Sequence, residues 1–151
     1  VGRVPDKKYA MGSQKRKTTR RIAGLNIQFP WSRYILDGNK TVETRHYPLP
    51  EKHIGKELAL IETPGKEGKK AGIETRIIGI IVIEKCIHYE TKEAWANDKK
   101  RHLVEDGDKL YGYSEDKEKW GWLVKVVRAV EPQMPPKVRG IKYAKDCIVS
   151  Y

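Results

Sequence analysis

Three charged side chains able to do chemistry lie close together in one short segment of this chain. Lys40, Glu43 and Arg45 follow the turn residue Gly38 in the order Gly-Asn-Lys-Thr-Val-Glu-Thr-Arg. Lysine and arginine bind phosphate groups, and a carboxylate beside an arginine fixes the guanidinium group so that its spare N–H donors face a ligand. A lysine and a glutamate can also exchange protons with a substrate as general acid and base. The segment therefore predicts a polyanion site or an acid/base site.

The elements around this segment must position those side chains. Alternation over 40–45 predicts a β-strand, in which Glu43 and Arg45 share one face and Val42 faces the core. Lys40 stands where the turn enters the strand, so we expect it to swing toward either face. A glutamate beside an arginine is also typical of a purely structural ion pair, and the strand pattern leaves both interpretations open.

A proline and a tryptophan precede the motif. Pro30 suits the first position of a helix. Trp31 shares one face of a two-turn helix with Ile35, and Gly38 ends that helix. The tryptophan can stack on a base in a cleft or pack in the core, and the helical pattern favours neither role.

The remaining pattern predicts a mostly β fold of the α+β class, with about six strands and short helical insertions. The strongest strand signal is 73–87, which contains seven isoleucines and one valine and is expected at the centre of the sheet. Other strands are predicted at 22–28, 58–61, 120–130 and 147–149. A helix capped by Thr91 is expected to run to Val104, and 64–72 is expected to form a mobile loop. Because strands and helices do not alternate regularly, the predicted architecture is a barrel or a sandwich.

The net charge of +11 is concentrated near the start of the chain. Residues 1–21 hold eight basic residues and one acidic residue, a net charge of +7. We expect this tail to be disordered when free and to act as an electrostatic arm for nucleic acid or as a nuclear-import signal, although a solvated terminus has the same composition. The arm residues are Lys15, Arg16, Lys17, Arg20 and Arg21. One domain is expected over 22–151.

Several classes of protein are excluded by what the sequence lacks. No stretch approaches the roughly 20 apolar residues of a membrane span, and no signal-peptide pattern is present. Two cysteines without a secretory signal are more often reduced thiols, so we expect an intracellular protein, cytoplasmic or, in a eukaryote, nuclear. The four histidines do not have metal-ligand spacing, and no dinucleotide or phosphate-loop fingerprint occurs. No metal, cofactor or membrane partner is predicted.

The motif and its flanks resemble the ASCH domain, the activating signal cointegrator homology family. The resemblance rests on Gln-Phe-Pro-Trp at 28–31, Gly-x-Lys-x-x-Glu-x-Arg at 38–45 and Trp-Gly-Trp-Leu at 120–123, and it covers 22–149. It implies a β-barrel like the RNA-binding (PUA) domain of pseudouridine synthases and archaeosine transglycosylases, with a cleft between barrel and helices. Family members are regarded mainly as RNA-binding modules, while bacterial branches resemble N4-acetylcytidine amidohydrolases or ribonucleases.

One departure from the family pattern bears on the choice between binding and cleavage. Resemblance to the amidohydrolase branch implies a site built from the motif lysine, a threonine three residues later and a glutamate from a central strand. In such a site an activated nucleophile attacks an amide carbonyl. This chain keeps Lys40 but has Glu43 at the threonine position, with Glu74 or Glu84 as the distant carboxylate. The departure favours holding a nucleotide over cutting one.

The predicted function is binding of RNA, preferably single-stranded, or of a nucleotide in a cleft. The cleft residues are predicted to be Pro30, Trp31, Lys40, Glu43 and Arg45. A first alternative is a small hydrolase, acting on a modified nucleoside or on RNA, in which Lys40 and Glu43 are catalytic. A second alternative is a protein-interaction adaptor that uses the insertion at 91–104.

Overall fold

The computed structural model describes residues 17–135 and 143–151, and these form six strands and four short helices. The strands are β1 (Thr19–Gln28), β2 (Val42–Arg45), β3 (Glu57–Thr63), β4 (Arg76–His88), β5 (Trp120–Gln133) and β6 (Tyr143–Ser150). The helices are α1 (Trp31–Leu36), α2 (Gly65–Lys70), α3 (Lys92–Ala96) and α4 (Lys99–His102). A single turn of 3-10 helix, Glu51–His53, precedes β3.

All six strands belong to one sheet in the order β2-β5-β4-β3-β1-β6. Neighbouring strands are antiparallel, except that β1 and β3 run parallel. The predicted α+β class with about six strands is confirmed. The predicted closed barrel is wrong, because the sheet is open and the described residues show no backbone pairing between its edge strands, β2 and β6.

Two contacts describe the edges of the open sheet. β2 has four residues and pairs only with the first four residues of β5. At the far end of β5, the Gln133 side chain donates from Nε2 to the Ser150 carbonyl oxygen at 2.7 Å and accepts from the Ser150 N–H at 2.9 Å. The side-chain amide of Gln133 therefore links the end of β5 to the edge strand β6.

The isoleucine-rich strand lies at the centre of the sheet, as predicted, between β3 and β5. Its side chains enter two separate hydrophobic clusters. Ile81 and Ile83 pack in the cluster that contains Trp122, whereas Ile77 and Ile80 pack in the other. A strand that is covered on both faces needs no polar alternation, which explains the nearly continuous apolar run.

The first strand begins at Thr19, earlier than the predicted domain boundary at residue 22. Arg20 pairs with Val149 and Arg21 pairs with Ile148 in the β1–β6 ladder. These two arginines of the predicted arm therefore belong to the sheet. Residues 1–16 lie outside the described residues, so the predicted disorder of that part of the arm stays a prediction.

The segment 64–72 was predicted as a mobile loop, and this prediction is wrong because most of it forms α2. The amide of Gly68 donates to the Pro64 carbonyl at 2.8 Å, which closes a helical turn. Gly68 is buried, and a Cβ atom built on it would lie 3.4 Å from the Phe29 side chain. Close packing of a residue without a side chain therefore holds this lysine-rich turn on the domain.

The helix predicted from Thr91 to Val104 is two helices. Thr91 caps α3 as predicted, and its Oγ1 accepts from the Ala94 N–H at 3.0 Å. The chain then turns before α4, which ends at Leu103 in the left-handed conformation with φ of 64°. Among the described residues, none of these helices is long and apolar enough to cross a membrane.

Candidate functional site

A cleft of about 370 Å³ opens between α1, β2 and the loop that precedes β5. Its charged and large aromatic lining residues include Trp31, Lys40, Glu43, Arg45, Tyr111 and Lys119. Four of the five predicted cleft residues thus line one cavity. The fifth, Pro30, precedes α1 and is not part of the lining.

Glu43 lies between the two cations of the motif. Its Oε2 accepts from Arg45 Nε at 3.0 Å, and its Oε1 lies 3.8 Å from Lys40 Nζ. Glu43 is 8% exposed and Lys40 is 2% exposed. Strand alternation brings the glutamate and the arginine together, as predicted, and the same strand buries Val42 completely.

Arg45 is held by four partners, Glu43, Tyr47, Asn26 and Trp122. Its Nη2 donates to the Asn26 carbonyl oxygen at 2.9 Å, and its guanidinium carbon lies 5.1 Å from the centre of the Trp122 ring. Burial alone would lower the pKa of Arg45, but the charge of Glu43 and the Tyr47 hydroxyl raise it above its usual value. The group is therefore a permanent cation, and five N–H donors in a guanidinium leave some for a ligand.

The position of Lys40 at a turn predicted a side chain that swings toward either face. The structure instead places this side chain inside the cleft. Its Nζ donates to the carbonyl oxygen of His102 and lies 4.7 Å from the centre of the Trp31 ring. Burial lowers the pKa of this lysine, while the charge of Glu43 acts in the opposite direction. The ammonium is therefore preorganised inside the cleft.

The insertion that contains α3 and α4 provides the partner of Lys40. The Arg101 carbonyl accepts from the Thr41 N–H at 3.0 Å, which docks the end of α4 on the motif. His102 is fully buried and stacks on Trp95 with ring centres 4.8 Å apart. Its Nδ1 accepts from the Val104 N–H at 3.0 Å, so the neutral ring carries its proton on Nε2.

Lys119 is a cleft residue that the sequence pattern did not identify. It is 3% exposed, and its Nζ donates to the Tyr111 carbonyl oxygen at 3.0 Å. Burial lowers the pKa of this lysine, partly offset by the charges of Asp108 and Glu43. The only sequence signal was a lysine directly before a strong strand, in a polar loop that contains several other lysines.

The loop before β5 also brings an aromatic side chain to the cleft. The Tyr111 ring meets Trp31 edge to face, with ring centres 5.7 Å apart. Asp108 Oδ1 accepts from the Leu110 and Tyr111 amides at 2.9 and 2.8 Å. Trp31 is half-buried and packs against two hydrophobic clusters, so it is partly a core residue and partly a wall of the cleft.

The other candidate residues lie away from the cleft or outside the described structure. Glu74 and Glu84, the two candidates for a distant carboxylate, are exposed and do not line the cleft. Arg20 forms an ion pair with Glu57, and Arg21 and Lys17 are exposed. Lys15 and Arg16 lie outside the described residues. Within 17–135 and 143–151, no three histidine, cysteine or acidic side chains are grouped to hold a metal ion.

Comparison with known proteins gives a consistent picture. A family model described as the ASCH domain matches residues 25–134. The chain is similar in structure to ASCH from Zymomonas mobilis, with a TM-score of 0.56 and 17% identity over 74% of this chain and 71% of that one. A serine-to-alanine variant of that protein gives the same TM-score and identity over 75% and 73% of the two chains.

A tyrosine-to-phenylalanine variant of the same Zymomonas mobilis protein also matches, with a TM-score of 0.56 and 17% identity over 75% of each chain. At this identity the likeness extends to the fold. The comparison with curated proteins finds no match.

Proposed function

Because the chain belongs to the ASCH domain family, whose members are generally RNA-binding or hydrolase-like, we propose that the cleft binds single-stranded RNA. It holds one nucleotide of the strand. The observation that carries this proposal is the charge of the cleft. Three cationic side chains, Lys40, Arg45 and Lys119, share the lining with one carboxylate, Glu43. Both lysines are almost completely buried.

Buried cations are costly unless an anion compensates them. One carboxylate cannot neutralise three cations, so the cleft keeps a net positive charge in a partly desolvated site. An anionic ligand supplies the missing compensation, and the phosphate groups of RNA are such anions. The charge excess therefore supports a polyanion site over a structural ion pair.

The aromatic walls of the cleft suit the base of a nucleotide. Trp31 of α1 and Tyr111 of the loop before β5 contact each other edge to face and together form an aromatic wall of the cavity. Stacking of a base on an aromatic side chain contributes about 1–3 kcal/mol and tolerates every base. The proposed contact therefore gives affinity for single-stranded RNA without a strong sequence preference.

The hydrolase alternative has one observation in its favour, the lowered pKa of Lys40 beside Glu43. A lysine of this kind can act as a general base. However, Lys40 donates to a backbone carbonyl, Glu43 binds Arg45, and the cleft lining contains no second carboxylate among the described residues. These contacts favour RNA binding over hydrolysis.

An RNA-binding titration tests the proposal. We expect the affinity for a labelled single-stranded RNA, measured by fluorescence anisotropy, to fall by roughly 0.7 log units per log unit of salt for each phosphate contacted. The Lys40→Ala/Arg45→Ala variant should bind at least about tenfold more weakly. The charge-matched control is Lys85→Ala/Lys125→Ala, which removes two exposed lysines outside the cleft lining.

Unchanged affinity in the cleft variant, or a flat response to salt, would refute the proposal. Incubation of the protein with N4-acetylcytidine and with labelled RNA tests the hydrolase alternative, and product that disappears in Lys40→Ala would support it. The arm is proposed to add sequence-independent affinity. Removal of residues 1–16 should therefore weaken the binding of all RNAs equally and make the affinity less dependent on salt concentration. An adaptor would instead keep its partner when the cleft residues are replaced.

A further inference from the structure

Charge, donor supply and volume together indicate which phosphate the cleft prefers. Building on the proposed function, we infer that the cleft takes a terminal phosphomonoester, at the end of an RNA strand or on a mononucleotide, in preference to an internal phosphodiester. The three cations and one carboxylate of the lining leave a net charge of +2. A phosphomonoester carries about −1.5 to −2 near neutral pH, whereas an internal linkage carries a single negative charge.

The positions of the ammonium groups leave donors for several phosphate oxygens. Lys40 Nζ donates to the His102 carbonyl, and Lys119 Nζ donates to the Tyr111 carbonyl at 3.0 Å. Each ammonium has three N–H groups and no acceptor, so each retains donors after this single backbone contact. A phosphomonoester presents three terminal oxygens, one more than the two unesterified oxygens of a diester linkage, and so uses this donor supply more fully.

The carboxylates near these cations do not remove the charge excess. Glu43 lies 3.0 Å from Arg45 Nε and 3.8 Å from Lys40 Nζ, and so compensates one of the two. Asp108 offsets part of the charge of Lys119, but it lies outside the lining, and its Oδ1 accepts from two amides of its own loop. The interior of the cleft therefore lacks a second anion within the described residues.

The volume of the cleft limits the ligand to about one nucleotide. At 370 Å³, the cavity is at the lower end of the roughly 300–1,000 Å³ of pockets for small ligands. A continuous strand passing through would place two sugars and a diester there, whereas a terminal nucleotide places one sugar, one base and the phosphate. The size and the charge thus favour the same chemical group.

The test compares one short single-stranded RNA in three forms, with a 5′-phosphate, with a 3′-phosphate and with hydroxyl groups at both ends. We expect one of the phosphorylated forms to bind about tenfold more tightly than the hydroxyl form, a difference of about 1.4 kcal/mol. Nucleoside 5′- and 3′-monophosphates should compete with the labelled RNA, whereas the parent nucleosides should not. Competition by inorganic phosphate alone would identify the phosphate, without the base, as the bound group.

Substitutions at Lys119 locate the preference. Lys119→Met should reduce the ratio of affinities for phosphorylated and hydroxyl RNA to about one, and Lys119→Arg should keep it. Lys117→Met removes an exposed lysine two residues away and should leave the ratio unchanged. If Lys119→Met does not fold, as judged by circular dichroism, competition by mononucleotides against the unmodified protein decides the question.

Equal affinity for all three RNA forms, with salt-dependent binding that needs Lys40 and Arg45, would overturn this inference and leave the proposed function intact. A preference that persists in Lys119→Met would also overturn it. The absence of cleft-dependent binding by any RNA would refute the proposed function itself.

Discussion

Replacing Glu43 with glutamine tests whether the cleft depends on a counter-ion. Glu43 lies 3.0 Å from Arg45 Nε and 3.8 Å from Lys40 Nζ and is 8% exposed. With an effective dielectric constant of about 20, each of these attractions is roughly 4–6 kcal/mol. Desolvation of the carboxylate offsets much of that, and the glutamine amide oxygen can still accept a hydrogen bond. We therefore expect Glu43→Gln to lower the free energy of unfolding by about 2–4 kcal/mol.

The assay is urea unfolding followed by tryptophan fluorescence and circular dichroism, with Glu105→Gln as the matched control. Glu105 forms an ion pair with Lys99 at 2.6 Å, but its side chain is 73% exposed. An exposed pair contributes about 0–1 kcal/mol, so the control should unfold almost as the unmodified protein does. Both variants remove one carboxylate charge, so the difference between their free energies of unfolding measures the effect of burying the ion pair.

Added phosphate extends this test to the ligand. Without the carboxylate, Lys40 and Arg45 lack their shared counter-ion, so a nucleoside monophosphate should stabilise Glu43→Gln more than it stabilises the unmodified protein. Equal losses of stability in Glu43→Gln and Glu105→Gln would refute the counter-ion role. A large loss with no additional stabilisation by the monophosphate would show that a bound anion does not replace the carboxylate.

Three further predictions concern the scaffold of the cleft. Trp122→Phe should cost about 2–3 kcal/mol more stability than Trp95→Phe in urea unfolding, because the Trp122 indole donates to the Tyr47 carbonyl at 2.9 Å, while the buried Trp95 Nε1 has no hydrogen-bond partner among the described residues. Equal losses would contradict this. Burial lowers the pKa of His102 below 6.5, so the unfolded chain takes up the proton first. Stability should then fall as the pH drops below that value, by at most about 1.4 kcal/mol per pH unit, and His102→Gln should remove this part of a pH titration. Leu103→Gly should raise the unfolding free energy by about 0.5–1 kcal/mol, since Leu103 has φ of 64°; a decrease would mean that its side-chain packing outweighs the strain.

Local sequence patterns determined several strands and helix starts and showed which residues share a face within a strand. The isoleucine run predicted the central strand because a strand buried on both faces is apolar throughout. Period-two alternation placed Glu43 and Arg45 on one face of β2, and the structure joins them by a hydrogen bond. The threonine cap of α3 was equally readable, because capping depends on residues three positions apart.

The family motif also predicted the region of the cleft, since Trp31, Lys40, Glu43 and Arg45 are close in sequence and all line it. The sequence did not indicate that the sheet remains open. The pairing of strands joins distant segments: β2 pairs only with the first four residues of β5, and no ladder joins β2 to β6 among the described residues.

Only the tertiary structure decided the electrostatic character of the site. Lys40 looked like a free side chain at a turn, but the fold places the His102 carbonyl, 62 residues away in sequence, at its ammonium group. Lys119 lies in a polar loop with no periodicity, and it is buried where that loop meets α1 through the contact of Tyr111 with Trp31. A charged residue carries no local signal that it will be buried, because desolvation and compensation come from segments that meet only after folding. The sequence thus determined a charged motif on a strand, and the fold turned it into a cleft with excess positive charge.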